Sequence, residues 1–109
     1  MIELRRYTNA AGEDVVGNWL RELRDVRTRA KIAARLARLA AGGFGDCKPL
    51  REGVWELRID WGPGYRVYYA RTGRMCLLLL CGGDKRSQAV DIVRAVGYWR
   101  DFERRTGLS

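Results

Sequence analysis

The chain has 109 residues, of which 47% are hydrophobic and 31% charged, and its formal net charge is +8. That length suits one domain with a single modest core, and the composition excludes a disordered chain. No apolar run approaches the ~18 residues of a membrane helix, so no membrane association is expected.

Three cysteines and no histidine argue against a disulfide scaffold and against a zinc site. Cys76 and Cys81 lie in an extended segment and are about 16 Å apart, beyond the reach of a bridge. Free thiols in a reducing compartment are the expectation. The opening MIELRRYTNAAGED has no apolar core of signal-peptide type, which points to the cytoplasm.

Residues 2–7, IELRRY, read as a short strand and TNAAG as a loop. From Glu13 the spacing of Val15 or Val16, Trp19, Leu20 and Leu23 is helical. Residues 25–41 form a second helix rich in alanine and arginine. Ile32, Leu36 and Leu39 line one side of it. Arg27, Lys31, Arg35 and Arg38 fall within about 80° of each other on the other side. Gly42 and Gly43 end the helix.

The second half is β-rich. In residues 54–60, VWELRID, Trp55, Leu57 and Ile59 alternate with Glu56, Arg58 and Asp60, the pattern of a half-buried strand. WGPG is a turn signal, and YRVYYA is a second alternating strand. MCLLLLC, residues 75–81, reads as a strand buried on both faces, and a last helix starts near Ser87. The predicted class is α+β in the order β-α-α-β-β-β-α, with helices packed on one side of an antiparallel sheet over a single domain, 1–109.

Charge is unevenly spread: residues 1–24 balance at zero, whereas residues 25–45 carry five basic side chains against Asp25. A basic surface attracts nucleic acid or an acidic partner. Strand pairing sharpens this. If Trp55, Leu57 and Ile59 share the core face with Tyr65, Val67 and Tyr69, then Arg58 and Arg66 share the other face, and in the tightest register they are direct neighbours. Like charges so placed repel unless an anion sits between them. The plainer alternative is an exposed charge ladder in which Glu56 and Asp60 neutralise the arginines.

The segment GGDKRS, residues 82–87, leaves a strand for a helix, where glycines permit a turn and helical N–H groups can hold an anion. Ser87 is the expected N-cap. Lys85 would then converge with Arg58 and Arg66, with Lys48 reaching in from the preceding loop. Such a basic cleft suits in-line RNA cleavage, which needs a base, positive charge at the phosphorane and an acid for the leaving oxygen. Arginines stabilise charge but are poor bases. The base is either a lysine with a depressed pKa or a carboxylate among Asp91, Asp84 and Glu56. Tyr68, on the arginine face, is the candidate for stacking on a base. Arg86 and the helical Arg27, Lys31, Arg35 and Arg38 are further candidate RNA contacts.

Four stretches carry a resemblance: WLRELRD (19–25), RLARLAAGGFGDCKPL (35–50), GVWELRIDWGPGYRVYY (53–69) and LLLLCGGDKRSQAVDI, ending at Ile92. The sequence resembles the RelE/ParE superfamily of toxins from type II toxin–antitoxin modules. Its branch is that of addiction-module killer proteins, related to HigB-type and phage Gp49-like toxins. The resemblance implies a compact sheet flanked by helices and ribosome-dependent cleavage of mRNA. It also implies silencing by a cognate antitoxin, of helix-turn-helix type and encoded next to the toxin.

Matched on GYR, the family's phosphate-stabilising arginine is Arg66. Its catalytic lysine positions fall on Arg58 and Glu56, the basic residue after the last strand on Lys85, and a tyrosine position near Asp91. Glu56 reverses a charge and the tyrosine is absent, so Arg58, Arg66 and Lys85 are what the two lines of reasoning share. The expected function is a metal-independent, cofactor-free endoribonuclease. A ParE-like toxin of DNA gyrase, without nuclease activity, is the alternative. A module whose basic face only holds an acidic partner is a third reading, and self-association stays open.

Overall fold

The computed structural model describes residues 1–107, so the reading of one domain over 1–109 ends outside the described residues. The elements are β1 (Glu3–Arg6), α1 (Val15–Glu22), α2 (Val26–Ala40), β2 (Cys47–Pro49), β3 (Val54–Ile59), β4 (Tyr65–Gly73), β5 (Cys76–Asp84) and α3 (Gln88–Thr106). A single 3-10 turn, Lys85–Ser87, joins β5 to α3. Both early helices start on an aspartate: Asp14 accepts from the Gly17 N–H and Asp25 from the Arg27 N–H, meeting the free donors of a first turn. No helix among the described residues is long and apolar enough to cross a membrane.

The strands lie in the order β1-β5-β4-β3-β2, with β1 parallel to β5 and every other pair antiparallel. The class is α+β, and the sheet is mixed rather than wholly antiparallel. The helices occupy both faces, which corrects the one-sided packing expected from sequence. On one face Leu57, Val67, Leu77 and Leu79 pack with Val16 of α1 and Ile32 and Leu39 of α2. On the other, Val54, Tyr68, Leu78 and Leu80 pack with Ala95, Val96 and Trp99 of α3. Four consecutive leucines alternate between faces, so neither face of β5 can be left to water.

Two further differences bear on the site. The segment Cys47–Pro49 adds a short edge strand, β2. Its three residues are too few to show alternation, and Pro49, lacking an N–H, is tolerated at an edge.

The strand β5 also runs three residues past the apolar stretch, through Gly82 and Gly83 to Asp84, and neither glycine has a positive φ. These glycines are therefore not a turn. A Cβ on Gly82 would lie 2.3 Å from Trp19 Cε3, and one on Gly83 would lie 1.9 Å from Asp91 Oδ2. Successive residues of a strand point to opposite faces. The pair marks the place where α1 and α3 press against β5 from its two sides.

The three cysteines are free, and burial pushes the Cys81 thiol up to about 12.

Candidate functional site

The hairpin β3–β4 sets Arg58 directly opposite Arg66 and Glu56 opposite Tyr68. Alternation aims this set toward the α3 side of the sheet. Two guanidinium groups placed opposite each other repel, and the protein resolves this with a carboxylate of its own. Glu56 is fully buried, with Oε2 2.9 Å from Arg58 Nε and Oε1 3.2 Å from Arg66 Nε. Gln88, the first residue of α3, donates its Nε2 to the same Oε1 at 2.8 Å. Glu56 thus neutralises the arginines from the interior, not as a rung of an exposed ladder. Its field and hydrogen bond hold the Arg58 guanidinium above its ordinary pKa, so that side chain stays charged.

Arg66 also donates from Nη1 to the Gly64 carbonyl at 3.0 Å. Gly64 has φ +83°, and a Cβ there would sit 3.4 Å from that nitrogen and 3.7 Å from Lys85 Cβ. Glycine therefore serves both the backbone geometry and the close approach. Arg58, Arg66 and Lys85 line one open groove of about 280 Å³ together with Asp46, Asp60 and Tyr65. This groove shares Asp46, Arg58, Ile59 and Asp60 with a second of about 400 Å³, whose other lining residues are Lys31, Ala34, Arg35, Arg38 and Trp61.

Residues 18–94 match the family model described as Phage derived protein Gp49-like. The chain belongs to the Gp49-like family. That family is associated with toxin–antitoxin modules. The matched span runs from α1 into α3 and includes every residue of the groove. A protein of Haemophilus influenzae, named only as uncharacterized, is 50% identical over 78 residues, covering 72% of this chain and 79% of the relative.

In this Gp49-like chain the other predicted site residues scatter. Arg27 and Lys31 are exposed and lie over the Trp61 ring, at 5.8 and 4.8 Å from its centroid. Lys48, exposed on β2, is paired in register with Glu56 but does not line the groove. Arg86 is 83% exposed and pairs with Asp84 at 2.9 Å. Asp84, one of the candidate bases, is occupied structurally. It caps the 3-10 turn, and hydrogen bonding from Arg86 holds its carboxyl below the ordinary carboxylate range. Ser87 precedes α3, but its hydroxyl donates to Asp91 instead of capping the helix.

Three predictions are corrected by burial. Tyr68 is fully buried beneath α3 and presents no ring to a nucleobase; burial pushes its hydroxyl pKa up. Asp91 is buried against Gly83, bonded by Ser87 and 3.5 Å from Arg94, so it faces no substrate. Arg35 is buried and donates to the carbonyls of Gly43 and Phe44, closing the loop after α2. Of the four basic residues it lies nearest the apolar stripe, about 40° from Leu39 at 100° per residue. That offset was the readable signal.

Sequence reasoning missed Gln88 and Asp46. Gln88 meets Glu56 across 32 positions of chain, a separation that no local pattern encodes. Asp46 lies in the loop before β2, and its charge acts on Arg58.

The burial of Arg35 separates it from its neighbour on α2. Arg35→Ala is expected to lower stability by about 2 kcal/mol, the scale of lost charged hydrogen bonds. Arg38→Ala, on the exposed wall, is expected to leave stability within about 0.5 kcal/mol. Urea denaturation of the two variants checks both. Equal stability losses in the two variants would contradict this assignment.

Proposed function

We propose that this Gp49-like chain is the toxin of a type II toxin–antitoxin module, a RelE/ParE superfamily protein of the HigB-type branch that acts as one domain in the cytoplasm. It cleaves mRNA on the ribosome and is silenced by a cognate helix-turn-helix antitoxin encoded beside it. The observation that carries this reading is the convergence of Arg58, Arg66 and Lys85, from three separate segments, on one open groove.

In this mechanism the 2′-oxygen attacks the adjacent phosphorus while the 5′-oxygen leaves, producing a 2′,3′-cyclic phosphate and a free 5′-hydroxyl. Arg66 and Arg58 stabilise the phosphorane, where charge accumulates. Lys85 donates a proton to the leaving 5′-oxygen, and the base takes the proton of the attacking 2′-hydroxyl. The three carboxylates considered from sequence are occupied: Glu56 and Asp91 are buried in hydrogen bonds and Asp84 is a cap. Asp46 and Asp60, on the groove wall, take the base role.

One observation favours the gyrase reading. Glu56, Asp46 and Asp60 stand against the three cations, so the groove carries little excess positive charge to draw in RNA.

Sequencing of RNA 5′ ends after brief induction, with and without the neighbouring gene, separates the two when run beside a gyrase supercoiling assay. Codon-positioned cuts that vanish on co-expression are expected. Inhibited supercoiling with intact mRNA would replace the nuclease by the gyrase toxin.

A further inference from the structure

We propose that Glu56 is a positioning residue: a buried internal anion that grips Arg58 and Arg66 by their Nε edges and so presents their terminal nitrogens to the groove. For catalysis this rests on the nuclease reading above; the geometry stands apart from it. A carboxylate is almost never fully buried without being paired, and both oxygens of Glu56 are engaged, Oε2 by Arg58 and Oε1 by Arg66 and Gln88. Among the described residues Glu56 is the only carboxylate ion-paired with either arginine.

The edge used is informative. A guanidinium can bind an oxyanion through Nε and one terminal nitrogen, or through its two terminal nitrogens. Glu56 accepts a hydrogen bond from the Nε of Arg58 at 2.9 Å and stands as a charge 3.2 Å from the buried Nε of Arg66, which makes no hydrogen bond to it. The Gly64 carbonyl takes Nη1 of Arg66. The Arg58 side chain is 38% exposed, and its terminal nitrogens have no protein acceptor among the described residues. Glu56 therefore fixes the orientation of both groups without filling the edge that a phosphodiester would use. Gln88 holds Glu56 from the start of α3, so the grip also depends on how the 3-10 turn that carries Lys85 is seated.

Charge fixed in advance need not reorganise when the transition state forms. A free arginine has four side-chain torsions to order, and a misplacement of about 1 Å at such a site costs on the order of 100-fold in rate. Positioning predicts a loss in kcat larger than any change in KM, because many contacts share ground-state binding of ribosome and message.

The test uses the full chain. In Glu56→Gln, confirmed folded by circular dichroism, kcat on ribosome-bound mRNA is expected to fall about 10- to 100-fold, with KM within about 3-fold. In nitrogen-15 NMR spectra the Nε–H signal of Arg58, hydrogen-bonded to Glu56, is expected to move to a free-arginine position, and that of Arg66, ion-paired with Glu56, to shift with it. Gln88→Ala, at a half-buried helix start, is expected to shift both results in the same direction by less, and it decides the matter if Glu56→Gln does not fold.

Unchanged Nε–H signals in the folded variant would overturn the proposal, as would a kcat equal to or above that of the wild type. If the wild-type protein cuts no message, the nuclease reading fails by itself, and the arginine signals alone then decide whether Glu56 positions the pair.

Discussion

Arg66→Ala is expected to reduce RNA cleavage by about 10²- to 10³-fold, the usual cost of removing a charge-stabilising donor from a reacting centre. The side chain is 11% exposed, lies 3.2 Å from Glu56 and reaches the Gly64 carbonyl. Its loss removes the donor that the proposed reaction aims at the phosphate and leaves the buried Glu56 with only Arg58 and Gln88. Breaking a buried pair from one side costs about 3–5 kcal/mol, so this variant is expected to lose stability as well as activity.

Arg66→Lys separates the two effects. Lysine keeps the charge near Glu56 and most of the stability, but its single ammonium cannot serve Glu56, Gly64 and a phosphate together. It is expected to remain at least 10-fold impaired. Steady-state cleavage and urea denaturation of both variants provide the check. Full growth arrest by Arg66→Ala at equal expression would remove Arg66 from the mechanism.

A loss of stability without any change to the groove's own side chains is expected at Gly82 and Gly83. A methyl group on Gly83 enters the space of Asp91 Oδ2, 1.9 Å away, and of Ser87 Oγ, 2.8 Å away. Asp91 cannot swing aside cheaply, because Ser87 holds the same oxygen. On the opposite face, a methyl on Gly82 meets three carbons of the Trp19 ring at 2.3 to 2.6 Å. Overpacking usually costs about 1–3 kcal/mol. These contacts are well inside van der Waals distance, so about 3 kcal/mol or more is expected for each alanine variant. Gly83→Ala should also displace the start of α3, and with it Gln88 and Lys85. A loss below about 1 kcal/mol in urea titrations would mean that the helices yield and that the glycines are not needed for close packing.

These two glycines show how far local pattern carries. Directly after an apolar strand and before a helix, they suggest a turn or an anion-binding loop, because glycine is permissive in both. Their actual task is to be small on both faces of a strand, and smallness is visible only once α1 and α3 are in place. The arginine pair is the opposite case. Strict alternation in VWELRID and in YRVYYA determined that Arg58 and Arg66 share a face, and the turn length put them opposite each other.

Glu56 lies between these cases. Its face was readable; its burial was not. Alternation distinguishes two faces but does not say which of them a helix will cover, and residues 56 and 88 are too far apart in the chain for any local rule. The four leucines of β5 already required cover on both sides, which is why a one-sided packing of helices could not hold.

The sequence by itself determined the α+β class, most of the strand and helix positions, and the pairing of Arg58 with Arg66, because these depend on periodicity within a few residues. Only the tertiary structure decided that Tyr68, Asp91 and Arg35 are withdrawn from the surface, and that Glu56 is the anion beneath the arginines. Those outcomes depend on where α3 and α2 dock, and docking is set by the summed packing of distant residues.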